Sequence, residues 1–297
     1  MGTRLPRLSA TLAALGAALL AVSASADPAA WRVEGVRGGE VALLGSMHVL
    51  RASDYPLPGL VDELYSHADV LVMELDLDDL DPAAEQAALL SAAVLPADRT
   101  LAGALDAGIY DKTTRRAREL GIDIALLDHA EPWFVAITLL DLGMQKLGFE
   151  AERGLEQYLV AKAGHDHKQI VGLETLEKQV GIFAALAPKG QRALLAQTLE
   201  ELDTADTAMS ELTAAWRDGH LETMTEKLLG DFDDYPELYP ALVTNRNAAW
   251  TDELERLLKD GRRYLVIVGA LHLVGKDSVI ERLGARGHRV VRVGAPH

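Results

Sequence analysis

Apolar residues crowd into six short runs rich in β-branched side chains: "VALLG" (41–45), "DVLVMEL" (69–75), "IDIALLD" (122–128), "KQIVGLE" (168–174), "YLVIVGA" (264–270) and "RVVRVG" (289–294). Most are near-continuous rather than alternating, the pattern of strands buried on both faces of a largely parallel sheet. The stretches ahead of the second, third and last runs, "LPGLVDELYSHA", "LAGALDAGIYDKTTRRARELG" and "SVIERLGARG", show helical spacing and stop near glycine or a turn. Repeated helix-strand alternation predicts an α/β layered fold with a largely parallel sheet flanked by helices. The turn signal at Arg37-Gly38-Gly39 predicts that the first strand is paired in a hairpin at its start. From residue 131 to 261, apart from "KQIVGLE", the chain is rich in Ala, Leu, Glu, Gln and Lys. About five helices without a strand are too many for simple crossovers, so a mainly helical insertion at about 176–260 is expected to cap the sheet. Residues 27–297 are read as a single domain.

Composition changes the picture at the amino terminus. "MGTRLPR" carries two arginines, "LSATLAALGAALLAV" is apolar, and "SASA" supplies a small-x-small cleavage pattern ahead of Asp27. Residues 1–26 therefore read as a cleaved signal peptide, the apolar stretch being shorter than the roughly 20 residues of a spanning helix. The mature protein is expected to be exported, periplasmic or secreted, with no stable membrane span. "WFVAITLLDLGMQKLGF" (133–149) is interrupted by Asp141 and Lys146 and reads as a buried helix. With no cysteine, no disulfide holds the exported chain together and core burial must do so. The formal charge of −16 repels nucleic acid, which is excluded as a partner.

The candidate chemistry lies where the runs end. His48 follows the first, Glu74 closes the second, Asp128 and His129 follow the third, Glu174 closes the fourth and His272 follows the fifth. Carboxyl ends of parallel strands open into one crevice, so these residues are expected to converge. Gly45 and Gly269, each three residues before its histidine, allow a tight turn or close backbone approach. Two imidazoles with carboxylates suit a divalent transition metal such as Mn, Co or Zn, which would lower the pKa of a bound water. His48, Glu74 and His272 are the first-choice ligands, Glu174 is an additional ligand or general base, and Asp128 is a candidate for orienting a ligand imidazole. "HDH" (165–167) precedes its strand and reads as a surface loop at the opposite edge, and "DLDDLD" (76–81) as a solvated turn leading into a helix. Gly-x-Ser-x-Gly, His-Glu-x-x-His and phosphate-loop patterns are absent.

At these residues the chain resembles the TraB/GumN (TraB/PrgY/GumN) family, relatives of the Tiki metalloproteases. The resemblance runs from "LLGSMHVL" and "VLVMELDL" through "GLEQYLVAKAG" and "IVGLETLEKQ" to "LVTNRNAAWTDELERLL" and "YLVIVGALHLVGKDSVIERLGARGHRVVRV". It implies an α/β fold of the erythromycin-esterase and ChaN-like kind, with both Gly-x-x-His motifs and the glutamate in one site. In Tiki relatives that site supports metal-dependent proteolysis with manganese or cobalt, which maps onto His48, Glu74 and His272. The family's Arg-Asn pair maps onto Arg246, a candidate for holding a substrate carboxylate or oxyanion, and Asn247. The leading expectation is an exported metal-dependent hydrolase, a peptidase acting on a peptide or protein substrate. The alternatives are a metal-free esterase with His48 as general base and a non-enzymatic protein that sequesters a peptide or haem.

Overall fold

The computed structural model describes residues 27–79, 81–233 and 235–294; the expected signal peptide lies outside them. The chain enters as β1 (Ala30–Glu34), turns where Arg37 and Gly38 take positive φ, and returns antiparallel as β2 (Glu40–Ser46). Helix α1 (Gly59–His67) leads to β3 (Val70–Met73), and then come α2 (Pro82–Ala92), α3 (Leu101–Ala104), α4 (Ala107–Glu119), α5 (Pro132–Lys146) and α6 (Leu155–Asp166). After β4 (Gln169–Gly172) the chain runs through α7 (Leu176–Ala184), α8 (Pro188–Arg217), α9 (Leu221–Leu229), a π-helical turn at Pro240–Thr244 and α10 (Asn245–Leu257). It ends with β5 (Arg263–Gly269), α11 (Val279–Ala285) and β6 (Val290–Val293).

The result is a mixed α/β fold with a central sheet and flanking helices. The six strands lie in the order β4-β3-β5-β2-β1-β6. The four from β4 to β2 are parallel, and β1 is antiparallel to both its neighbours. Because β5 inserts between β2 and β3, the two Gly-x-x-His turns leave adjacent parallel strands, with Ser46 opposite Gly269. Glu74 leaves β3 on the other side of β5, where Met73 pairs with Ile267.

The strand expected at 122–128 does not form. Ile124–Leu127 is a 3-10 helix whose N-cap, Asp123, accepts a hydrogen bond from the Ala125 N–H at 3.0 Å. Leu127 alone of its four residues is buried and Leu126 is 81% exposed, so the run has no sheet to join and the aspartate offers the backbone another partner. "HDH" also differs from the expected loop, since His165 and Asp166 form the last turn of α6 and His167 ends it at φ 55°. Asp81 caps α2 through the Ala83 N–H, as befits a polar turn leading into a helix.

The two largest of four apolar clusters among the described residues hold the layers together. The larger joins the strands to α1, α6, α10 and α11 and includes Leu212 and Trp216 of α8. The second joins α3, α4 and α5 to Leu195 and Leu199 of the same helix. The 30 residues of α8, about 45 Å long, thus tie the helical layer to the sheet. Trp216 Nε1 donates to the Gly45 carbonyl at 2.7 Å, fastening that helix to the end of β2. Among the described residues no helix is long and apolar enough to cross a membrane.

Candidate functional site

Four strand ends and the start of α10 deliver a connected set of polar side chains. Burial of so many ionisable groups is costly unless each is paired, and here almost every polar atom has a partner. Arg246, on the first turn of α10, is only 11% exposed. Its Nη2 donates to Glu74 Oε2 at 2.5 Å and its Nε to Glu174 Oε1 at 3.0 Å. Its Nη1 donates to His272 Nε2 at 3.1 Å, so that nitrogen is an acceptor and the His272 proton sits on Nδ1. Nδ1 in turn donates to Asn247 Oδ1 at 2.7 Å, and the Asn247 amide is oriented by donating Nδ2–H to the Asp277 carbonyl at 2.9 Å. Trp250 lies one helical turn beyond Arg246, with the guanidinium 4.6 Å above its ring and the His272 ring centroid 4.5 Å away.

Glu74 occupies the centre. Its Oε1 accepts the Gly269 N–H at 2.8 Å and lies 4.0 Å from His272 Nε2, and Gln179 of α7 donates to Oε2 at 3.2 Å. Burial alone would raise the Glu74 carboxyl, but the positive charges of His48 and Arg246 and the Gly269 N–H hold it below the usual carboxylate range. Burial pushes His272 the other way, down to about 3, leaving it neutral.

His48 faces this group from the open side, with 61% of its side chain exposed. A Cβ at Gly269 would lie 2.9 Å from His48 Nε2 and 3.3 Å from Glu74 Oε1, so the missing side chain is what lets imidazole and carboxylate share the space. The other imidazole nitrogen, Nδ1, contacts Glu156 Oε1 at 2.7 Å, and Ser46 donates its hydroxyl to the same oxygen. The Glu156 carboxylate raises His48 to about 9, an attraction that water at the crevice mouth partly screens. Glu156 itself is lowered, because the His48 charge and the two hydrogen bonds outweigh the opposing effect of burial. Gly154 permits this contact: a Cβ there would stand 2.2 Å from the His48 carbonyl, and Leu155 N donates to the Met47 carbonyl at 3.0 Å.

Of the residues expected from sequence, the structure gathers His48, Glu74, Glu174, Arg246, Asn247 and His272, with Gly45 and Gly269 at the two turns. Asp128 stands elsewhere, after the 3-10 turn in the helical layer, where its carbonyl accepts the Leu101 N–H and His129 meets the Arg99 carbonyl. Glu156, Ser46 and Gln179 were not anticipated. Glu156 reads in sequence as a first-turn acid complementing a helix dipole; the preceding glycine was the available signal of a close approach.

Residues 29–292 match the TraB/PrgY/gumN family. The chain belongs to that family. It is 31% identical over 241 residues to YbaP of Escherichia coli (strain K12), covering 81% of this chain and 86% of that protein. The YbaP of Shigella flexneri matches with the same identity and coverage. No solved structure matches. Family membership fixes the relationship and not the reaction, which has to be argued from the groups themselves.

A divalent ion would require both the right kinds of donor and the right spacing. Both imidazoles use Nδ1 for an oxygen partner and turn Nε2 toward the Glu74 side of the crevice, the arrangement of metal-ligating histidines. Glu174 Oε2 is buried with no hydrogen-bond partner, Lys178 Nζ lying 3.9 Å away. In kind these donors fit. In spacing they do not as placed: among the described residues no three His, Cys, Asp or Glu side chains are grouped to hold a metal. The Arg246 guanidinium has the Nε2 of His272 that such an ion would need.

Proposed function

We propose that this crevice is the site of an exported hydrolase acting on peptides, with His48 as the group that moves protons. The observation that supports the reading is the Ser46–Glu156–His48 relay, which fixes Nδ1 and leaves Nε2 facing the crevice beside Glu74. Glu156 makes His48 a stronger base than free imidazole, so only a small fraction is in the unprotonated, base form at neutral pH and cleavage should rise as pH approaches about 9. The unprotonated form takes a proton from the attacking water, and the protonated form then returns it to the leaving amine. Arg246 lends positive charge to the carbonyl oxygen as it becomes anionic. Glu74 and Glu174 hold that guanidinium in place.

A second reading, a metal-dependent peptidase with His48, Glu74 and His272 as ligands and Glu174 as an additional ligand or base, is favoured by the orientation of the two imidazoles. A divalent ion such as Mn, Co or Zn would supply a water of lowered pKa and polarise the carbonyl. For this the guanidinium must release His272 Nε2. The test is metal content by mass spectrometry on mature wild type and on folded His48→Ala and His272→Ala variants, beside peptide-library cleavage after exhaustive chelation. Cleavage that survives chelation and disappears in His48→Ala is expected. One ion per chain, lost in both variants together with activity, would replace the first reading by the second; no cleavage under any condition would sink both.

A further inference from the structure

Beside His48, Glu74 and Arg246, this cavity of about 430 Å³ is lined by apolar side chains, some from the end of β3 and others from the helical layer: Ile137 of α5, Ile182 and Phe183 of α7, and Leu242 of the π-helical turn. One helix spans the change in character. Gln179, Ile182 and Phe183 lie three and four residues apart on a single face of α7. Gln179 donates to Glu74 and Glu174, so the apolar pair sits one turn, about 5.4 Å along the helix axis, from the residue that meets the carboxylates.

The apolar lining is backed by a buried ring. Phe183 stacks on Trp133 at 5.9 Å and 18°, and Trp133 is wholly buried against Val180 and Ala93. Ile137 stands one turn along α5 from Trp133 and is 37% exposed, facing the cavity rather than the core behind it. A preorganised apolar surface beside a charged centre binds a large side chain without ordering costs of its own. We infer that Ile137, Ile182 and Phe183 form a specificity subsite for a large apolar side chain, Leu, Ile, Met or Phe, on the residue flanking the bond to be cleaved. This rests on the hydrolytic reading of the same crevice.

Short Ser/Gly host peptides carrying one central guest residue, Ala, Leu, Phe or Asp, test it by fluorescence anisotropy on wild type and on the His48→Ala variant. Leu and Phe guests should bind about tenfold or more tightly than Ala, from burial of the added apolar surface, and Asp should bind more weakly than Ala. Ile182→Ser/Phe183→Ser should abolish the preference, as should the milder Ile137→Ser, with folding verified by circular dichroism. A control at Leu126, 81% exposed and outside the crevice, should leave it unchanged on Leu126→Ser. Equal binding of all guests, no binding of any, or a preference that survives the folded subsite variants would overturn the subsite. Guest preference without cleavage in wild type would keep the subsite and overturn hydrolysis; cleavage without guest preference would do the reverse.

Discussion

The two turns that share the Gly-x-x-His signature leave their imidazoles in opposite states. His272 is 3% exposed, neutral, and pushed by burial down to about 3 between an amide and a guanidinium. His48 is 61% exposed, backed by the Glu156 carboxylate and raised by it to about 9. The strands delivering them are adjacent and parallel, so the sheet does not make the difference. The helix packed on each turn does: α10 brings Arg246, Asn247 and Trp250 to one, and the start of α6 brings Glu156 to the other. A motif at a strand end determines where an imidazole is delivered, and the neighbouring helix determines its charge.

The strongest way to break the contrast is to remove the cation on the His272 side. Arg246→Met leaves Glu74 and Glu174, 11% and 0% exposed, without the cation they share. Breaking a buried pair in this way costs about 3–5 kcal/mol, to be read from urea unfolding at neutral pH. Adding Glu174→Gln removes one stranded charge and should restore part of the loss. A single-variant cost below about 1 kcal/mol would show that the guanidinium is not what makes this buried end tolerable.

The paired glycines sharpen the contrast at smaller cost. An added Cβ at Gly45 meets Ala270 at 3.1 Å from Cα and 3.2 Å from Cβ, so packing between two strand ends must yield. Gly45→Ala should therefore lose about 1–2 kcal/mol. At Gly269 the new methyl meets the far ends of His48 and Glu74, and His48 can move into solvent. Gly269→Ala should cost less than about 1 kcal/mol in stability while driving His48 Nε2 from Glu74, so initial rates should fall further than the unfolding midpoint. A Gly269→Ala variant less stable than Gly45→Ala would contradict this division.

Much of this was legible in the chain, and the gaps have a common cause. Near-continuous apolar runs ending at His48, Glu74, Glu174 and His272 pointed to a sheet edge, because burial on both faces and delivery at a carboxyl end are properties of single segments. The run at 122–128 misled, since "IALL" between two aspartates carries the same local signal whether or not a sheet edge is free to receive it. Glu156 and Gln179 escaped notice because they reach the site from helix faces, and the amphipathic pattern of α6 or α7 does not distinguish a carboxylate facing water from one facing an imidazole. Asn247 was placed only through the family's Arg-Asn pair; its role beside His272 depends on two elements meeting in space.

The most direct test of the two charge states is the pH dependence of stability. His48 gains a proton more readily in the folded protein, about 9 against an ordinary 6.5, so its contribution is complete below 6.5 and is lost as pH rises through 9. His272 is the reverse. Its folded value of about 3 lies below 6.5, so the unfolded chain binds more protons between them and stability falls as pH drops through that window. Together the twin histidines should set a local optimum near pH 6.5, with other titrating groups removed by comparing variants. Glu156→Gln should flatten the alkaline limb and bring the His48 ring resonances, followed by NMR, back toward the ordinary imidazole range. His272 should show no titration above pH 5 in either protein. If His48 titrates near 6.5 in wild type, Glu156 does not set its charge, and the distinction between the two turns reduces to burial.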